Sequence, residues 1–87
     1  MASYKIRWKN SAHKELKKLD RKIIPAIISA VEKLALEPLP DGVKKLKGNE
    51  PMYRIRVNDY RVIYSIENNV LVVEVLRVGH RKGVYRQ

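Results

Sequence analysis

Apolar and basic residues alternate along residues 4–8, with Tyr4, Ile6 and Trp8 set against Lys5 and Arg7. A period of two marks a half-buried strand, the first predicted element. The period then lengthens. Ala12, Leu16 and Leu19 recur at helical spacing behind Asn10 or Ser11 as cap, with Glu15 in the first turns and Lys14, Lys17 and Lys18 on the outer face. This predicts an amphipathic, basic helix. A second helix carries Pro25 in its first turn, where the missing N–H is harmless, and buries Ile24, Ile27, Ile28, Val31, Leu34 and Ala35 until Pro38 and Pro40 end it. Residues 39–51 read as a connection, with Gly42 and Gly48 as turn points, Lys44, Lys45 and Lys47 exposed, and Leu46 as anchor into the core.

From Met52 the pattern returns to strands: residues 52–57, 60–67 and 70–78, joined by two-residue turns at Asn58-Asp59 and Asn68-Asn69. Asn and Asp tolerate the positive φ that tight hairpins need. The last of these segments, VLVVEVLRV, is apolar on both faces and belongs inside a sheet. Residues 79–87, GHRKGVYRQ, form a basic, glycine-punctuated tail. The expected fold is α+β: an N-terminal strand and two helices packed on one face of a C-terminal antiparallel β-meander. At 87 residues the chain is one domain spanning 1–87, too short for a second core. The pairing of the first strand stays open at this point.

A two-residue turn at Asn58-Asp59 sets Val57 opposite Tyr60, Arg56 opposite Arg61, Ile55 opposite Val62 and Tyr53 opposite Tyr64. One face then collects Tyr53, Ile55, Val57, Tyr60, Val62, Tyr64, Leu71, Val73 and Val75, the surface on which the helices pack. The other face holds Arg54, Arg56 and Arg61. Like charges directly opposite one another destabilise a sheet by ~0.2–1 kcal/mol. Glu74, opposite Ile63 in this register, is the acid that could neutralise them diagonally. The other reading is an anion site, since arginine forks match phosphate oxygens bidentately.

Charge points the same way. Nineteen Lys and Arg against nine Asp and Glu give a net charge of +10, which strains the compact state by self-repulsion and implies a polyanion or an acidic partner. The absence of cysteine excludes disulfides, thiol catalysis and thiolate metal sites and suits a reducing, cytoplasmic location. No apolar run approaches the ~20 residues of a membrane span, and the N-terminus lacks the apolar stretch of a signal peptide, so no membrane association is expected. No carboxylate cluster is placed to hold Mg²⁺, and neither metal nor cofactor is expected. Beyond residue 78 the tail brings His80, Arg81 and Tyr85 within reach of the arginine face. Cleavage of a phosphodiester by its own 2′-OH requires a base, positive charge at the phosphorane and help for the departing 5′-oxygen, and each has a candidate here.

Tyr53-Arg54-Ile55-Arg56, then Tyr60-Arg61-Val62-Ile63-Tyr64, then Val78-Gly79-His80-Arg81 with Val84-Tyr85 resemble the RelE family of bacterial and archaeal toxins, in order and spacing over nearly the whole chain. The resemblance implies the RelE-like microbial RNase fold and a ribosome-dependent mRNA endonuclease, the toxin of a type II toxin–antitoxin system. Such an enzyme cleaves the codon in the ribosomal A site, at the 30S decoding site, inhibits translation and is neutralised by a RelB-type acidic antitoxin. It also implies roles: Arg54 and Arg56 at positions where lysines are familiar, Arg61 binding phosphate, Arg81 at the leaving group and Tyr85 in base chemistry. His80 stands where lysine is common, as a possible additional acid or base.

Arg54 and Arg56 keep their protons at neutral pH, so their part is electrostatic. With an ordinary pKa of ~10, Tyr85 acts as base only beside positive charge that lowers it. Lys14, Lys17, Lys18, Lys44, Lys45, Lys47 and Lys82 are the expected contacts to RNA or ribosome. The alternatives are a ParE-like toxin that inhibits DNA gyrase, and a non-catalytic nucleic-acid-binding module. The second would favour exposed stacking aromatics, whereas the aromatics here point inward.

Overall fold

A computed structural model describes residues 3–48 and 50–80. Its elements are β1 (Lys5–Trp8), α1 (Asn10–Lys17), α2 (Ile24–Lys33), β2 (Lys44–Leu46), β3 (Met52–Val57), β4 (Tyr60–Glu67) and β5 (Val72–His80). The five strands form one sheet in the order β1-β5-β4-β3-β2. The C-terminal meander is antiparallel, as its turns predict. β1 does not lie on a face of the sheet but joins it, parallel to β5, with Lys5 opposite Val72 and Trp8 opposite Val75. That pairing makes β5 an interior strand, which accounts for its apolar residues on both faces.

The helix boundaries differ from expectation. Asn10 lies inside α1 and Lys9 is the N-cap, extended at φ −60° and ψ 143°, without a side-chain cap. The sheet sets this boundary, because the Lys9 N–H donates to the Val75 carbonyl at 3.0 Å and the Lys9 carbonyl accepts from His13 at 2.9 Å. Helix α2 stops at Lys33, before the prolines, and the Ala35 carbonyl is taken by the Tyr4 N–H at 2.7 Å. Its buried stripe is Ile23, Ile27, Val31 and Leu34, while Ile28 is 37% exposed. Ile24 is half-buried against the core, and Ala35 is half-buried.

The connection after α2 contains a strand that the lysine-rich sequence hides: β2 pairs antiparallel with β3, Lys44 opposite Arg54 and Leu46 opposite Met52. Leu46 therefore lies with Met52 on the face away from the helices, and Val43 packs against the core in its place. β5 begins at Val72, two residues late, because Leu71 takes a left-handed φ of 54° in a longer turn. The turn is tied down where the Tyr4 hydroxyl donates to Asn68 Oδ1 at 2.6 Å. Val70 and Leu71 are consequently exposed. At Asn58-Asp59 the two-residue turn forms as expected, with Asn58 at φ 55°, and Arg56 stands opposite Arg61.

The core lies between the helices and one sheet face: Ala12, Leu16, Ile23, Ile27, Val31 and Leu34 against Ile55, Val62, Tyr64, Val73, Val75 and Val78. Tyr64 is its largest fully buried side chain, and its hydroxyl donates to the Pro38 carbonyl at 2.6 Å. This bond clips the segment after α2 onto the sheet. Burial, with Tyr53 beside it, pushes the Tyr64 hydroxyl up to about 12. Removing the hydroxyl in Tyr64→Phe leaves a carbonyl without its donor and is expected to cost about 1–3 kcal/mol at pH 7 in urea unfolding. In the unfolded chain the phenol ionises near ~10. The wild-type advantage is therefore whole below that pH and shrinks as pH rises toward about 12, because the unfolded state releases its proton first. The gap between wild type and variant should narrow above pH ~10.

Candidate active site

The face of the sheet turned away from the helices carries the candidate site. Adjacent strands set two rows of side chains across it. One row runs Lys44, Arg54, Ile63, Arg77, and the next runs Arg56, Arg61, Gly79. Opposed residues on neighbouring strands sit only ~4.5–5.5 Å apart at their Cα atoms, so Lys44 and Arg54, and Arg56 and Arg61, are like-charged pairs held side by side. Arg54 is 8% and Arg61 9% exposed, and the Nε atoms of both are closed off from solvent. Arg56 is exposed. A guanidinium can retain five N–H donors around a phosphate or carboxylate but cannot shed its charge. Holding several together under partial desolvation is unfavourable in itself and favours an anion over the pair.

The acid expected to relieve these charges is directed elsewhere. Glu74 stands opposite Ser65, not Ile63, and accepts from Arg7 Nε at 3.2 Å, while Glu67 accepts from the same guanidinium at 3.3 Å. The late start of β5 moves Glu74 two residues along β4. It falls beside Arg7 of β1, two positions along β4 from the place expected opposite Ile63.

With this geometry in place, the resemblance to known proteins is informative. The sequence model of the family described as the ParE toxin of the type II toxin–antitoxin system parDE matches residues 6–85. The chain belongs to the RelE/ParE toxin superfamily. The toxin RelG of Mycobacterium tuberculosis is 32% identical over 85 residues, covering 97% of this chain and 98% of the relative. The RelBE2 toxin–antitoxin complex from Mycobacterium tuberculosis superposes with a TM-score of 0.81 at 30% identity, over 92% of this chain and all (100%) of the matched one. The RelE–RelB complex from Pyrococcus horikoshii gives 0.81 at 29% identity, over 94% and 99%. The chain is thus a toxin of a type II toxin–antitoxin system, with the α+β fold of RelE toxins.

For this RelE/ParE toxin the strand phases sort the remaining expected site residues. Lys44 joins the arginine rows directly. Lys45 is opposite Tyr53, on the helix side, and Lys47 is exposed beyond β2. Lys14 and Lys17 on α1 and Lys18 at its C-cap are exposed, and α1 packs on the opposite face of the sheet. His80 pairs with Tyr60, and their rings meet edge-on with centroids 5.7 Å apart. It therefore shares the helix-side face with Tyr60 instead of joining the arginines, contrary to the expectation from its place in the tail. Arg81, Lys82 and Tyr85 lie outside the described residues.

Two participants escaped the sequence reading: Arg77, which shares the arginine face, and Glu15, whose carboxylate accepts from Arg77 Nε at 3.2 Å and from the Val78 N–H at 3.1 Å. The lone cation in the apolar run VLVVEVLRV was the available signal for Arg77. A cleft of about 1110 Å³ opens between α2, the segment after it and β3, lined by Ala26, Ala30, Lys33, Leu34 and residues 54–56. Arg54 and Arg56 of the arginine rows border this cleft, while Arg61 is nearly closed off from solvent. No described helix is long and apolar enough to cross a membrane.

Proposed function

We propose that this toxin is a ribosome-dependent mRNA endonuclease that cleaves the codon in the A site and so blocks translation. The observation that carries the reading is the pair Arg54 and Arg61, diagonal neighbours on one sheet face and each more than nine-tenths buried, flanked by Arg56 and Lys44. Charge so concentrated and so poorly solvated is suited to the extra negative charge of a pentacoordinate phosphorane. Arg54 and Arg61 hold the scissile phosphate. The 2′-oxygen attacks phosphorus while its proton passes to Tyr85, whose phenolate needs positive charge such as that of Arg54 and Arg56 to form near neutrality. The P–O5′ bond breaks, and Arg81 hydrogen-bonds the departing oxygen, which takes its proton from water. The products are a 2′,3′-cyclic phosphate and a 5′-hydroxyl, with no metal in the mechanism.

The ribosome supplies the alignment of substrate that an 87-residue domain can hardly provide alone. Lys14, Lys17, Lys18, Lys44, Lys45, Lys47 and Lys82 provide attraction to its RNA. Matches to RelE–RelB and RelBE2 complexes support a RelB-type acidic antitoxin as the neutralising partner, complementary to the charge of +10.

The test is to supply the purified toxin with mRNA, both naked and on translating ribosomes, and to analyse the ends formed. Cutting only on the ribosome, with a 5′-hydroxyl product, is the expected result. Robust cleavage of naked RNA, or a 5′-phosphate, contradicts it. The match to a family named for ParE supports the second reading, gyrase inhibition. Loss of gyrase supercoiling with intact mRNA would establish that reading in its place.

A further inference from the structure

We propose that Glu15 is a positioning residue for the arginine face, acting through the backbone of β5. The inference rests on the endonuclease reading above. β1 accompanies β5 only as far as Val75, opposite Trp8, and its ladder closes with the Lys9 N–H on the Val75 carbonyl. From there, among the described residues, no strand lies beside that edge of β5. At that same point the register with β4 slips: Tyr64 faces Val75, but Ile63 faces Arg77, leaving Leu76 as an extra residue. A bulge of this kind reverses which face each later side chain occupies.

The reversal has chemical consequences. Strict alternation from Val73 and Val75 would turn Arg77 into the core and Val78 out of it. In the bulged register Val78 is 2% exposed in the core, and Arg77 lies across from Ile63 on the face of Arg54 and Arg61. Glu15 holds the bulge on its open side. One carboxylate oxygen takes the Val78 N–H at 3.1 Å, serving as the missing strand, and the other takes Arg77 Nε at 3.2 Å. Both side chains are about two-thirds shielded, at 31% and 32% exposure, so the contact is better insulated than a surface ion pair. Thus α1, on the other side of the sheet, dictates the alignment of the phosphate-binding face.

Glu15→Ala and Glu15→Gln separate the possibilities. Two readouts are needed: hydrogen exchange of the Val78 amide in the toxin alone, and single-turnover cleavage on ribosome-bound mRNA alongside ribosome affinity. Glu15→Ala should expose the Val78 amide and lower the cleavage rate about 10–100-fold, as small misplacements at a reacting centre do, with affinity changed less than about threefold since the +10 charge is little altered. Glu15→Gln keeps an acceptor for the amide and should restore both protection and most of the rate, even if Glu15→Ala fails to fold. The proposal is overturned if Glu15→Ala loses protection but cuts at the wild-type rate, if it keeps protection, or if Glu15→Gln protects the amide yet cuts no faster than Glu15→Ala. Failure of the endonuclease reading would appear in the wild type, as mRNA left uncut, whereas failure of the present proposal appears only in the variants.

Discussion

Arg61→Met is expected to lower single-turnover cleavage of ribosome-bound mRNA by about 10²–10³-fold, the usual cost of removing one preorganised donor from a developing oxyanion. Methionine is chosen because Arg61 is 9% exposed; it retains much of the aliphatic stem that packs there, and removes the charge. Folding stability should remain within about 1 kcal/mol of wild type, because lost contacts of the guanidinium are set against relief from Arg56 directly across the ladder. Ribosome affinity should change little, with a net charge near +9 remaining from the original +10. A variant that binds weakly but cuts at full rate once bound would reverse the assignment, making Arg61 a docking residue. The comparison is made under saturating ribosome, so that binding and chemistry separate.

Tyr85→Phe is the second large effect, about 10²–10⁴-fold on the same rate, the ordinary share of general base catalysis. The stronger readout is the pH profile. A phenol with a reference pKa of ~10 is about one part in a thousand ionised at pH 7, so a wild-type enzyme that uses the phenolate gains nearly tenfold in rate per pH unit until Tyr85 titrates. In the endonuclease reading, positive charge beside the phenol would lower that pKa and bring the plateau nearer neutrality. The residual activity of Tyr85→Phe should lack this inflection. His80→Ala supplies the contrast: with its ring against Tyr60, on the helix-side face, its loss should change the rate less than about threefold and leave the profile intact. A large fall in His80→Ala, with an inflection near ~6.5 abolished, would move the proton-transfer role to histidine. An unchanged profile in Tyr85→Phe would remove tyrosine from the chemistry.

What the sequence alone determined is local or nearly so. The period-two pattern of residues 4–8, the helical spacing of Ala12 and Leu16, and the Asn58-Asp59 turn each specify conformation through neighbouring residues. Because a two-residue hairpin fixes register, the same turn also placed Arg56 opposite Arg61, bringing the heart of the candidate site within reach of sequence reasoning. Interactions between distant segments decided the rest. β2 is three residues of a lysine-rich stretch, KKL, too short for periodicity to register, and it is a strand because β3 offers an edge to pair with. The parallel docking of β1 beside β5 depends on a crossover through both helices. Leu71 in a left-handed turn shifted β5 by two residues and drew Glu74 away to Arg7. The bulge at Leu76 then reversed the phase of the strand, sending Arg77 to the arginine face and His80 away from it. A slip of a single residue exchanges the two faces of a strand. Patterning can thus name the residues of such a site, but contacts between segments 60 or more positions apart, such as those of Glu15 with Val78 and Arg77, accompany the shift in phase that sorts them between the two faces.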